Sequence, residues 1–261
     1  MVSESMPLPA AMVQRARDFS GTPASARPAA TVVLLRPADE AFEVYVLRRA
    51  TTMVFGGVYA FPGGGVDAND RPETIKQDWS RRLGVPQDEA RAVVGAAARE
   101  LFEEAGVLLA GPRQQPDRTV GDVSGPEWEA ERAAVQRREL TMTDLLRSRD
   151  LLLRDDLLLP WARWITPEFE PRRFDTWFFV ALLPQSQTAR DVSGEADRTT
   201  WISPAAANGL TMLPPTRVML NDLSAYEGIE GVVAASAGRD AAEPVMPRVE
   251  LTDGGAVLHL P

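Results

Sequence analysis

Arg99-Glu100-Leu101-Phe102-Glu103-Glu104-Ala105-Gly106 is the stretch on which the reading of this chain turns. On a helix, spacings of three and four residues bring side chains onto neighbouring spots of one face, so Glu100, Glu103 and Glu104 converge. Leu101, Val94, Ala97, Ala98 and Ala105 gather on another side, which makes the segment amphipathic with an acidic edge. Stability alone does not favour this arrangement. Like charges four residues apart repel, and acids in the last turn before a Gly106 cap sit at the negative end of the helix dipole. Each conflict costs about 0.3 to 1 kcal/mol, and a bound divalent cation reverses its sign. The plain alternative is a solvated acidic face.

Upstream, Phe61-Pro62-Gly63-Gly64-Gly65-Val66-Asp67 closes an apolar run. Three successive glycines after a proline predict a tight loop whose backbone is kept bare for close approach. Together the two stretches resemble the Nudix hydrolase signature, G-x5-E-x7-R-E-U-x-E-E-x-G-U, with U a bulky aliphatic residue. Arg99, Glu100, Leu101, Glu103, Glu104, Gly106 and Val107 match every specified position of its second half. With Gly64 as the opening glycine, Asp70 stands where the family has Glu, and 28 residues rather than seven separate Asp70 from Arg99. A box split in this way is similar to a branch that includes coenzyme A diphosphatases. Members acting on coenzyme A carry a further element, with a basic residue four positions before a glycine. Counting back from Gly57, that place holds Met53, so the element is only partly present.

The resemblance implies an α/β fold: a Nudix-type mixed sheet sandwiched between helices, with helical insertions. It also implies metal-dependent cleavage of a P-O-P bond in a nucleoside diphosphate linked to another moiety. A coenzyme A-like substrate comes first, with NADH or ADP-ribose next. Glu100, Glu103 and Glu104 would hold Mg²⁺ or Mn²⁺, both of which favour hard oxygen ligands. Glu103 and Arg99 are expected in catalysis, Arg99 by pairing with a carboxylate. Glu195, with Asp197 behind it, is the candidate for a further acid outside the box. Arg49 (or Arg48), Gly63, Gly64, Phe169 and Arg173 are the candidates for substrate contact, Phe169 by stacking and the arginines by charge. A competing reading is a non-catalytic Nudix-like module that senses a nucleotide; loss of box acids would mark it, and none of the three glutamates is lost.

Along the 261 residues, 1–28 read as a leader or strap with a helix around Ala11 to Phe19. Residues 29–230 form the Nudix domain, and 231–261 a tail ending in a hairpin. Thr31 to Leu35 and Phe42 to Leu47 predict a hairpin across Pro37 to Glu40. One insertion covers about 71–86, with Thr74 to Arg82 helical and Gly84 as its stop. The catalytic helix starts near Pro86 and Asp88 and runs to about Ala105. A second insertion, about 112–157, predicts helices at Glu127 to Glu139 and Thr141 to Arg149. It serves as a cap, a contact in a homodimer, or a lid. Strands are expected at Trp161 to Thr166, Arg173 to Leu183 and Thr199 to Ile202, and a helix at Pro214 to Tyr226. Trp79, Trp161 and Trp164 are expected to pack in the core.

A net charge of −9 disfavours nucleic acid, whose binding draws on Lys and Arg to release counterions. The absence of cysteine excludes disulfides, thiolate zinc sites and Cys nucleophiles, and one histidine, His259, is too few for a histidine triad. No run approaches the ~20 apolar residues of a membrane span. Met1 to Ala30 lacks a secretory pattern, so the cytoplasm is the expected compartment and a small phosphorylated molecule the expected partner.

Overall fold

Val32 and Leu34 are buried on one side of their strand, Val33 and Leu35 on the other, and all four are inaccessible to solvent. That period of two, repeated in Trp177 and Phe179 against Phe178 and Val180, defines a sheet covered on both faces. The structure is a computed structural model, and it describes all residues except 1–4, 8, 9, 40, 52–55, 116, 193, 195, 253, 254, 260 and 261.

In chain order, β1 (Ser5–Pro7) and α1 (Ala10–Asp18) precede the hairpin of β2 (Ala26–Ala38) and β3 (Ala41–Arg49). Then come β4 (Tyr59–Ala60), β5 (Gly63–Gly65), α2 (Trp79–Leu83) and α3 (Gln87–Ala105). The second insertion holds β6 (Ala110–Pro112), α4 (Pro126–Gln136), α5 (Met142–Ser148) and β7 (Leu151–Leu153). The sheet resumes with β8 (Leu159–Ile165), β9 (Arg173–Leu182) and β10 (Ala196–Ile202). The chain closes with α6 (Pro214–Leu223), α7 (Ile229–Ser236), β11 (Pro244–Val245), β12 (Arg248–Thr252) and β13 (Gly255–His259).

The main sheet runs β10-β3-β2-β9-β8-β11, with β4 on β3 and β5 on β2. It is mixed: β2 and β9 pair in parallel over ten residues, while β2–β3, β3–β10 and β8–β9 are antiparallel. On one face lie α2, α3 and the apolar side chains of the second insertion, among them Val135, Leu145 and Leu153. On the other, α6 and α7 bring Met219, Leu220, Leu223 and Val232 against Trp161, Trp164 and Phe178. The α/β sandwich expected from the sequence is therefore present, and Trp79, Trp161 and Trp164 are all core residues.

Several boundaries differ from expectation for local reasons. The strap ends earlier than residue 28, because Ala26 to Pro28 already pair with β9. Thr74 to Asp78 are not helical. Asp155 Oδ2 accepts from Lys76 N (2.9 Å), Gln77 N (3.1 Å) and Trp79 Nε1 (2.8 Å), and this tie holds the first insertion in an irregular loop until α2 begins. The second insertion is closed at its base by β6 pairing with β7, which the helical pattern concealed. Its apolar residues share the main core, so it is folded onto α3 as part of the body. The terminal hairpin β12–β13 forms and pairs with β1.

Candidate active site

β2 pairs with β3 only from Leu35 to Ala38; nearer its start, at Ala29 to Thr31, it pairs with β5. On that edge the far end of β3, at Leu47 and Arg48, pairs instead with β4, while β10 runs along its other edge. β4 and β5 thus wedge the sheet open, and α3 ends against the wedge. The glycine stretch, expected as a loop, is a short strand. A Cβ on Gly63 would lie 2.5 Å from Thr31 Oγ1, and one on Gly64 would lie 2.5 Å from Glu100 Oε1. Bare backbone is required here because a carboxylate packs directly on it.

α3 starts after Pro86 with Asp88 and Glu89 in its first turn, which suits the dipole, and stops at Gly106 in the left-handed region (φ 65°). Its last two turns are enclosed. Arg99, Glu100, Glu103 and Glu104 are 3%, 7%, 5% and 7% exposed, so the glutamates are not a solvated edge. Asp70 is equally buried and holds Arg99 as a fork, Nε to Oδ1 at 2.7 Å and Nη2 to Oδ2 at 2.9 Å. The same guanidinium donates to Gly65 O (2.9 Å), Glu100 Oε1 (2.6 Å) and Glu103 Oε1 (3.2 Å). Glu104 Oε2 accepts from Gly63 N at 2.9 Å, fastening helix to wedge.

The electrostatics follow from burial. Desolvation, aided by the Glu103 charge and opposed by Arg99, pushes the Glu100 carboxyl up to about 7. Burial works against the Arg99 charge but is outweighed by Asp70, Glu100 and Glu103, which hold its pKa well above the ordinary value. Hard, buried carboxylate oxygens suit a divalent ion such as Mg²⁺ or Mn²⁺. Among the described residues, however, no three acidic side chains converge on one point as ligands; Glu100 and Glu103 converge on Arg99 instead. The donor chemistry fits a cation once these carboxylates turn from their arginines.

One residue at this corner was not anticipated. Arg138, just past α4, donates from Nη1 to Glu103 Oε1 at 2.5 Å and lies 3.6 Å from Asp67 Oδ2. Nearby, Arg132 Nη1 donates to Glu103 O at 2.9 Å and docks the insertion on α3. Nothing in the Arg137-Arg138 pair says which one turns inward, since Arg137 pairs outward with Glu139.

Among the described residues, the remaining sequence candidates make no hydrogen bond or ion pair with the glutamates. Arg49 is half-buried at the end of β3, in register with Ala196, and its Nε has no hydrogen-bond partner among the described residues. Arg173 spends its donors on Thr166 O (3.0 Å) and Ala24 O (2.8 Å), tying the strap to β9. It pairs with Ala26, four positions along β2 from the Ala30 that faces Gly64, about 13 Å at 3.3 Å per residue. Phe169 lies in the β8–β9 turn beyond it, half-buried. Asp197 accepts from Arg48 at 2.6 Å. Glu195 and Met53 lie outside the described residues.

A wedged mixed sheet with a buried Arg-Glu-x-x-Glu-Glu helix end on a glycine strand defines the Nudix class. Residues 76–213 match the NUDT19 Nudix domain family. The putative nudix hydrolase 7 of Caenorhabditis elegans is 30% identical over 74% of this chain and 58% of its own length. The acyl-coenzyme A diphosphatase NUDT19 of Homo sapiens is 26% identical over 86% of this chain and 72% of its own. This chain thus spans little more than half the nematode relative. A Nudix hydrolase from Alicyclobacillus acidocaldarius superposes with a TM-score of 0.65 at 27% identity, covering 84% of this chain and 99% of that one. The chain belongs to the NUDT19 Nudix domain family.

Proposed function

We propose that this protein is a metal-dependent pyrophosphohydrolase that cleaves the P-O-P bond of a nucleoside diphosphate joined to a second moiety. The observation that carries the reading is the buried knot of Asp70, Arg99, Glu100 and Glu103 on bare Gly64. Such a concentration of acids in the interior is costly unless cations share it. A coenzyme A-type substrate is the first choice, supported by the split box and by the likeness to the human acyl-coenzyme A diphosphatase, with NADH and ADP-ribose next.

Glu100, Glu103 and Glu104 would hold Mg²⁺ or Mn²⁺. A bound ion of this kind supplies charge neutralisation to the diphosphate and makes a coordinated water more acidic. Arg99, pinned by Asp70, aligns Glu100 and Glu103 and shields their repulsion. Glu104 keeps the wedge against the helix through Gly63 N–H. In the reaction, water adds to one phosphorus, its proton passes to a carboxylate base, and the bridging oxygen departs on the other phosphate. Glu103 and Glu195 are the candidates for that base.

The test is product analysis on coenzyme A, an acyl-coenzyme A, NADH, ADP-ribose and nucleoside triphosphates, with and without Mg²⁺ or Mn²⁺. Cation-dependent release of two phosphorylated products from one diphosphate is expected. E103Q should lower kcat by about 10² to 10⁴ while leaving the melting curve in place. Tight nucleotide binding with no turnover in either cation would instead mark a sensing module.

A further inference from the structure

Among the described residues, Arg138 is the one group at the carboxylate corner that comes from the second insertion and stands half in solvent, with its side chain 44% exposed. Its backbone adopts φ 63°, a region that residues with a Cβ seldom visit, and such conformations persist where surrounding contacts enforce them. The contacts are on hand: Nη1 donates to Glu103 Oε1 (2.5 Å) and to Val135 O (3.2 Å), and Nε lies 3.6 Å from Asp67 Oδ2. Arg99 differs in being buried and committed on every side to Asp70, Gly65 O, Glu100 and Glu103. Arg138 therefore has what Arg99 lacks, a solvent-facing path along which its long side chain can swing.

Resting on the function proposed above, we infer that Arg138 is a displaceable cation: it competes with the divalent ion for Glu103 and, once displaced, pairs with the diphosphate of the substrate. Both steps follow from chemistry. Glu103 Oε1 already accepts from both Arg99 and Arg138, so a divalent ion binding there competes for its lone pairs and repels the more exposed guanidinium. A guanidinium released beside an anionic substrate presents a donor fork that matches phosphate oxygens. The insertion is thereby part of the site, delivering charge across the end of α3 where Arg132 anchors it.

The experiment is calorimetry on the full chain. Chelated wild type, R138Q, R138K and R137Q are each titrated with Mn²⁺. At saturating Mn²⁺ they are then titrated with the non-hydrolysable methylene analogue of ADP. R138Q should bind Mn²⁺ about tenfold more tightly and the analogue about tenfold more weakly. R138K should fall between, and R137Q, which removes the same charge one residue away from an exposed pair with Glu139, should match wild type in both. Equal Mn²⁺ affinity in R138Q and wild type, or an analogue affinity untouched by R138Q, overturns the inference. A wild type that takes up no Mn²⁺ defeats the functional proposal itself, so the two failures are told apart. Melting curves in chelator confirm that each variant is folded.

Discussion

Glu100 shows how much one residue is asked to do. It is nearly enclosed, touches Gly64 and accepts from Arg99 at 2.6 Å, yet desolvation still lifts its pKa from 4.5 to about 7. Between those values the folded chain keeps a proton that the unfolded chain has released. Its contribution to stability is complete below about 4.5 and is lost as pH rises through about 7. In chelator, wild type should lose on the order of 3 kcal/mol more than E100Q between pH 4 and 8, read from denaturant melts. Identical pH slopes would dismiss this account of the carboxyl. Gly64 gives a second residue-scale prediction. In G64A the new methyl falls 2.5 Å from Glu100 Oε1, so the carboxylate must move. Strain of about 1 to 3 kcal/mol and a sharp fall in kcat with little change in circular dichroism are expected. Unaltered kcat would show that Glu100 tolerates the shift.

At the scale of elements, α3 is held by what its own sequence does not contain. Asp70, 29 residues away, supplies the fork that receives Arg99. D70A would leave a buried guanidinium short of its main partner, at a cost of about 3 to 5 kcal/mol in unfolding free energy. A loss below about 1 kcal/mol would mean that Glu100 and Glu103 suffice to hold Arg99. The helix itself was legible, because apolar spacing, the Pro86 start and the Gly106 stop are local signals. The β6–β7 ladder and the loop over Thr74 to Asp78 were not. β6 and β7 are only three residues each, and the loop is dictated by Asp155 from another part of the chain. The glycine stretch was legible as bare backbone but not as a strand, since its partner is Ala29 to Thr31 and three glycines have no side chains to alternate.

For the molecule as a whole, the sheet separates two cores, and the site lies where β4 and β5 part β2 from β3. Among the described residues no helix is long and apolar enough to cross a membrane. If the folded corner binds a divalent ion and the unfolded chain does not, Mg²⁺ at a hundred times its Kd should add about 2.7 kcal/mol of stability. Melting temperatures in Mg²⁺ and in chelator measure it, and coincident melts would contradict the assignment of the glutamates as ligands. Sequence by itself determined the hairpin of β2 and β3, the amphipathic α3, the three glutamates and the need for bare backbone at Gly64, because periods of two and 3.6 and glycine punctuation act over a few residues. Only the tertiary structure decided that Arg138 meets Glu103 across 35 residues and that Arg173 turns to Ala24 instead. Such contacts depend on which surfaces the packed core brings together, and no local pattern records that choice.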